Sequence, residues 1–201
     1  MSDRRIILFD VMETLVNEPF FECVPTFFGM TLEALIAAKD PHSWIDFEHG
    51  TIDEATYVER FFTDRRKVDS EALRAHMKAS YAWLEGVEAL LAELKQSRIE
   101  MYALSNYSIW YRMIEEKLGL SRFLDWSFVS CLTGYRKPDP NAYLHAAKTL
   151  GVEPASCVFV DDRKRNVEGA IAVGMKGVLR VPSIRALRAD LARIGLCSAS
   201  P

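Results

Sequence analysis

Two kinds of hydrophobic patterning alternate along the chain. Short unbroken apolar runs, Ile6-Ile7-Leu8-Phe9 and Cys157-Val158-Phe159-Val160, are too short for helices and read as strands buried on both faces of a parallel sheet. Ile99–Leu104, Trp126–Ser130 and Lys176–Leu179 read as three further strands. Between them, apolar residues recur at helical spacing. Val87, Leu90, Leu91 and Leu94 share one face of a predicted helix over Val87–Lys95. Others are predicted at Trp110–Leu118, stopped by Gly119, and from Pro140 to Leu150, closed by Gly151. The last two cover 164–173 and Ser183–Ile194, after which the chain is expected to fray.

The segment between the first two strands breaks this alternation. Its pattern predicts about four helices and no strand. They cover 26–38 with Gly29 as an internal weakness, Ser43–His49, Asp53–Phe62, and Ser70–Trp83. Thr51 and Glu54 suggest a capping box ahead of the third, whose Ala55, Val58, Phe61 and Phe62 would face inward. The expected architecture is therefore α/β, a Rossmann-like, mainly parallel sheet with helices on both faces and a small inserted helical unit. Residues 1–15 and 85–201 would form the core domain and 16–84 the insertion.

Composition narrows the class without changing this picture. The 201 residues are 49% hydrophobic and 26% charged, with a formal net charge of -3. That balance fits a soluble protein and gives no reason to expect a nucleic-acid partner. The start MSDRRIILFD does not read as a signal peptide, and no stretch approaches the ~20 apolar residues of a spanning helix. Cys23, Cys131, Cys157 and Cys197 are far apart and form no CxxC pair. A structural zinc site is not expected, Cys157 reads as a buried small hydrophobe, and a cytoplasmic location is the default. Monomer and homodimer both remain open.

Polar residues close three of the predicted strands: Asp10, then Ser105 with Asn106, then Asp161 with Asp162. In a parallel sheet all carboxyl ends lie on one edge, where open α/β proteins bind their ligands. Lys137 stands in a loop after another strand. Taken singly, Asp10 reads equally well as a turn aspartate and Lys137 as a surface lysine, while exposed turn carboxylates are the lesser reading of Asp161-Asp162. Brought together, the acids would repel one another. A divalent cation relieves that, and an oxygen-rich carboxylate site suits magnesium. Lys137, the Ser105 hydroxyl and the Asn106 amide could then hold an anion such as phosphate.

These segments, in this order, resemble the haloacid dehalogenase-like hydrolase superfamily over nearly the whole chain. Asp10-Val11-Met12-Glu13-Thr14 resembles its first motif, DxDGT. Ser105 in LSN matches the second, Lys137 in GYRKPDP the third, and Asp161-Asp162 in FVDDRKRNVEGA the fourth. The helical insertion resembles the cap that members carry between motifs one and two. The resemblance implies Asp10 as nucleophile through an aspartyl intermediate. It implies Thr14 as an orienter of the first loop, Ser105 on the phosphoryl oxygens, and Lys137 on both Asp10 and the substrate anion. Magnesium would sit on Asp10, Asp161 and the Met12 carbonyl. Asp162 and Asn166 would lie close by, Asn166 where members often carry aspartate.

Met12 departs from the pattern, because phosphatases of this superfamily place there the aspartate that acts as general acid and base. A thioether exchanges no proton. Glu13, where glycine is usual, carries a neighbouring carboxylate that points elsewhere. Three functions follow from the resemblance: weak magnesium-dependent hydrolysis of a small phosphate monoester, non-catalytic or regulatory binding on the same scaffold, or metal-independent 2-haloacid dehalogenation. The last branch also lacks the aspartate but uses an early cap arginine, and residues 16–59 contain none; Arg60, Arg65 and Arg66 come later. His42, Trp44, His49 and Arg60 are polar or aromatic cap candidates, with packing or surface roles the plainer reading for His42, Trp44 and His49.

Overall fold

The computed structural model describes residues 4–197. Five parallel strands, β1 (Ile6–Phe9), β2 (Glu100–Ser105), β3 (Asp125–Val129), β4 (Cys157–Asp161) and β5 (Lys176–Leu179), lie in the order β3-β2-β1-β4-β5. β1 is central, with Phe9 level with Ala103 on one side and Val160 on the other. Its four residues alternate between two apolar layers. Ile7 and Phe9 join the larger layer, Ile6 and Leu8 the smaller.

Helices cover both faces, as the alternation predicts. α6 (Val87–Gln96), α7 (Tyr111–Leu118) and α11 (Ile184–Arg193) bury Leu90, Met113 and Leu187 in the larger layer. α9 (Pro140–Leu150) and α10 (Lys164–Ala172) close the smaller with Tyr143, Ala146 and Ala170. Cys157 is fully buried. The expected fraying at the terminus falls largely on 198–201, outside the described residues.

The helical region inserted between β1 and β2 differs from its expected form. It holds five helices, α1 (Phe20–Phe28), α2 (Leu32–Ala38), α3 (Ser43–Glu48), α4 (Glu54–Glu59) and α5 (Ser70–Ser80). The single helix expected over 26–38 is split because Gly29 takes a left-handed φ of 62° and caps α1. α1 begins at Phe20, earlier than the apolar pattern suggests, and carries Pro25 within it. The capping box at Thr51 does not form. Asp53 caps α4 by accepting from the Thr56 N–H at 2.8 Å, while the Thr51 hydroxyl donates to the Asp46 carbonyl at 2.9 Å. α4 is shorter than expected, Ala55 is exposed, and Tyr57 takes the inward position. Phe61 and Phe62 are buried just beyond the helix.

One short helix escaped the periodicity. α8 (Ser130–Thr133) follows β3 directly and meets α3 of the insertion. Gly50, at φ 70°, lets the backbones close up there, since a Cβ would lie 2.5 Å from the Cys131 carbonyl oxygen. The buried Ser130 hydroxyl donates to the Glu48 carbonyl at 2.6 Å and accepts from the Tyr107 N–H at 3.0 Å. It joins the insertion to the sheet edge. Replacing Ser130 by Ala leaves both backbone groups without this partner. We expect urea unfolding to show a loss of about 1–3 kcal/mol, and an unchanged midpoint would deny Ser130 that role.

Candidate active site

The strand order carries Asp10, Ser105 and Asp161 to one edge. Asp10 follows β1 and its N–H donates to the Val160 carbonyl at 2.8 Å, so Asp10 and Asp161 stand side by side. Lys137 reaches between them. Its ammonium lies 2.8 Å from Asp10 Oδ1 and 2.7 Å from Asp161 Oδ2, and all three side chains are buried. Carboxylate oxygens of Asp10, Asp161 and Asp162 fall within 4.8 Å of one another, a grouping able to hold a metal ion.

Each member is held from behind. Asp161 accepts from the Arg163 N–H at 2.7 Å and from Asn166 Nδ2 at 3.0 and 3.1 Å. Asn166 thus supports the acid while its own carbonyl accepts from the Tyr143 hydroxyl at 2.8 Å. Asn106 and Lys137 exchange two hydrogen bonds: Asn106 Nδ2 donates to the Lys137 carbonyl at 2.9 Å, and the Lys137 N–H donates to Asn106 Oδ1 at 2.8 Å. One amide hydrogen of Asn106 stays open.

Three acids against one ammonium leave an excess of negative charge. Burial pushes the Asp10 carboxyl above its usual range, Lys137 pulls against that, and Asp161 adds to the push. Asp162 is raised to about 6 by burial, then by Asp10 and Asp161. Its Oδ1 is buried without a hydrogen-bond partner. The Ser105 hydroxyl is likewise buried and unpartnered at the end of β2. Thr14 is fully buried; its hydroxyl has no partner and its carbonyl accepts from Arg180 Nε at 3.4 Å.

A cavity of about 370 Å³ opens over this edge. Asp10, Met12, Asn106, Lys137, Asp162 and Asn166 line it, whereas Thr14, Ser105 and Asp161 lie outside its wall. Met12, nearly buried and part of the larger apolar layer, lines the cavity with Asp10. Glu13 has a left-handed φ of 54°, and its carboxylate accepts from the Glu18 N–H at 2.6 Å.

Of the cap candidates, Trp44 lines the cavity, and His42, His49 and Arg60 do not. Arg60 pairs instead with Asp46 at 2.9 Å. Sequence reasoning missed Glu18, Lys39, Glu48 and Arg136, all on the wall. Buried Glu48 accepts from Trp44 Nε1 at 2.6 Å and pairs with Arg136 at 2.7 Å, tying the insertion to the loop that carries Lys137. Only Arg136 had a local signal, its place next to Lys137.

Comparison with known proteins agrees with this architecture. The chain is 47% identical over 191 residues to "Flavin mononucleotide hydrolase 1, chloroplatic" of Arabidopsis thaliana, an alignment covering 95% of this chain and 78% of that one. It is 26% identical over 184 residues to an N-acetylmuramic acid 6-phosphate phosphatase of Pseudomonas putida, covering 86% and 80%. The fold matches a haloacid dehalogenase family enzyme of Bacteroides thetaiotaomicron solved with magnesium and inorganic phosphate, with a TM-score of 0.73 at 17% identity over 90% of this chain and 96% of that one. It also matches the L-2-haloacid dehalogenase of Xanthobacter autotrophicus, with a TM-score of 0.64 at 19% identity over 97% and 85%. The model of the haloacid dehalogenase-like hydrolases runs through residues 5–174, from the first strand to the end of the helix behind the acidic pair, and the chain belongs to that family.

Proposed function

We propose that this chain hydrolyses a small phosphate monoester with magnesium, through transfer of the phosphoryl group to Asp10. The observation that carries this reading is the convergence of Asp10, Asp161 and Asp162 oxygens within 4.8 Å, beside a buried lysine. The donors are all oxygen, and the Asp162 Oδ1 atom is buried without a partner, which suits a hard divalent cation. Asp10, Asp161, Asp162 and the Met12 carbonyl would hold it. When bound, the cation neutralises charge on the acids and on the transferring phosphoryl group.

The chain's own groups do the rest. Lys137 opposes the burial that raises the Asp10 carboxyl and would face the incoming anion. Ser105 and the open Asn106 amide hydrogen are donors for phosphoryl oxygens, and Thr14 braces the first loop. Asp10 attacks phosphorus, the P–O bond to the ester oxygen breaks, and the alkoxide takes its proton from solvent water; a second water then attacks the aspartyl phosphate, releasing phosphate and restoring the Asp10 carboxylate. Among the described residues no cap arginine lines the cavity, and Arg136 and Arg163 come from the core loops. That favours phosphate over 2-haloacid chemistry. The 47% identity to the Arabidopsis flavin mononucleotide hydrolase makes flavin mononucleotide a sensible first substrate.

No single helix among the described residues is long and apolar enough to cross a membrane. The four cysteines are free, which suits the reducing cytoplasm we assign to the chain. The reading involves no nucleic acid, and the protein would act as a monomer or homodimer.

Three tests bear on the reading. Phosphate release from a panel of sugar, nucleotide and small-acid esters should require magnesium and fall by roughly 10³-fold or more in Asp10→Asn. Equal release by both proteins would remove the phosphatase reading and return weight to a binding protein.

Met12→Asp restores a proton donor beside the nucleophile. General acid–base catalysis is worth about 10²–10⁴-fold. The variant should therefore speed hydrolysis of alkyl phosphates far more than of p-nitrophenyl phosphate, whose phenolate leaves unaided. A uniform change across both esters would refute this account of Met12.

Glu18 supplies a pH signature. Burial pushes its carboxyl up to about 7 and Glu13 adds to this, against the Phe20 N–H and Arg163. Its ordinary value is 4.5, so between the two the folded protein keeps a proton that the unfolded chain has lost. The resulting stabilisation is complete below about 4.5 and disappears as pH rises through about 7. Thermal melts should show wild type losing more stability than Glu18→Gln between pH 5 and 8. Parallel slopes would contradict the assignment.

A further inference from the structure

One charged group on the cavity wall has no part in the chemistry above. Lys39 follows α2, pinned by its N–H to the Leu35 carbonyl at 3.0 Å and by a bridge to Phe62. Its ammonium lies over the Phe61 ring, 3.9 Å from the centroid, with Phe20 and Tyr57 rings at 5.3 and 5.6 Å. Tyr57 Oη, at 3.5 Å, is its one hydrogen-bond acceptor, and no carboxylate among the described residues lies within ion-pair distance. Aromatic faces stabilise the cation but accept none of its hydrogens in the manner of an oxygen. Of three N–H donors, two remain for whatever fills the cavity that Lys39 lines. Burial brings its pKa down to about 8, so at neutral pH the amine still carries its proton.

The surrounding wall restricts that occupant. Phe21 on α1 and Ile36 on α2 are 54% and 53% exposed, yet both face the cavity, together with Met77 and Trp44. Large apolar side chains left open to solvent at a cavity mouth mark a surface meant to be covered. A sugar phosphate would cover it poorly, being hydroxylated all round. A flat ring system covers apolar walls and aromatic faces, and a carbonyl on its edge meets the ammonium.

We propose that the cavity binds the alcohol portion of the substrate as a planar heteroaromatic ring with a carbonyl-bearing edge, and that Lys39 recognises this edge. The proposal rests on the phosphatase reading for the ester but not for the ring, so the two can be tested apart. The probes are flavin mononucleotide, riboflavin as its phosphate-free ring, and p-nitrophenyl phosphate as an ester without a carbonyl-bearing ring.

Riboflavin should bind the wild-type protein, read by quenching of its fluorescence, and bind about tenfold or more weakly to Lys39→Met. The same variant should raise KM for flavin mononucleotide by a similar factor with kcat little changed. Its hydrolysis of p-nitrophenyl phosphate, which offers Lys39 no carbonyl edge, should change far less than that of flavin mononucleotide, and circular dichroism reports that the variant is folded. Lys39→Arg, which keeps the charge and donors, should recover part of the loss. Equal riboflavin binding by wild type and Lys39→Met would overturn the role of Lys39. A wild-type protein that cleaves p-nitrophenyl phosphate but ignores riboflavin, or prefers a hexose bisphosphate to flavin mononucleotide, would overturn the ring site and leave the phosphatase reading standing. Riboflavin binding lost in Lys39→Met, without phosphate release from any ester, would support the ring site and defeat the phosphatase reading.

Discussion

The ammonium of Lys137, shared at 2.8 and 2.7 Å between Asp10 and Asp161, is the interaction on which the rest of the site depends. Buried carboxylates side by side are costly unless countered, and breaking a buried pair by removing one partner typically costs about 3–5 kcal/mol. The fold meets that demand through position. β1 and β4 are neighbours, so their terminal acids are adjacent by register, and the loop after β3 must bring a cation to them. Asn106, just past β2, fixes that loop through two hydrogen bonds to the backbone of Lys137 itself. The lysine still balances only part of the charge. Burial raises the carboxyls of Asp10 and Asp162, and the neighbouring acids add to it, which is the physical ground for a cation at this edge.

The inserted helices are coupled to this centre largely through Glu48. Its carboxylate joins Trp44 of the insertion to Arg136 of the lysine loop, and its carbonyl accepts from Ser130 at the end of β3. A residue that packs the insertion thereby also bears on the position of Lys137. Burial raises the Glu48 carboxyl, while Arg136 and the Trp44 N–H pull it down. The ring-lined part of the cavity and the phosphoryl end are in this way parts of one packed unit.

The strands were legible because their signal is local. Ile6–Phe9 and Lys176–Leu179 appear in the structure with the bounds expected of them, and polar residues at strand ends converge in any parallel sheet with these strands as neighbours. The insertion was legible as helical but not in detail. Apolar periodicity ran through Gly29, where backbone geometry ended the helix, and it could not show that Asp53 rather than Thr51 would cap α4. Glu48 and Arg136 stand 88 residues apart, so nothing near either foretold their pairing. Lys39 had no signature because its surroundings come from two other segments, Phe20 from α1 and Tyr57 with Phe61 from α4 and its end.

Met12 then acquires a meaning that the motif alone does not supply. The neighbouring Glu13 lines the same cavity, but one of its carboxylate oxygens is engaged by the Glu18 N–H. Loss of a general acid is worth roughly 3–5 kcal/mol of barrier. Contacts made equally to substrate and transition state lower KM without raising kcat, but they still raise kcat/KM below saturation. Binding that holds the phosphate against Asp10 also contributes through orientation. A site with weakened proton transfer therefore depends more heavily on grip at the far end of the substrate. In this molecule that end is walled by exposed aromatic and aliphatic side chains and a lysine with open donors. On the proposed reading, selectivity and rate are divided between two places: the sheet edge, which would perform a simple transfer, and the helical insertion, which would decide what is presented to it.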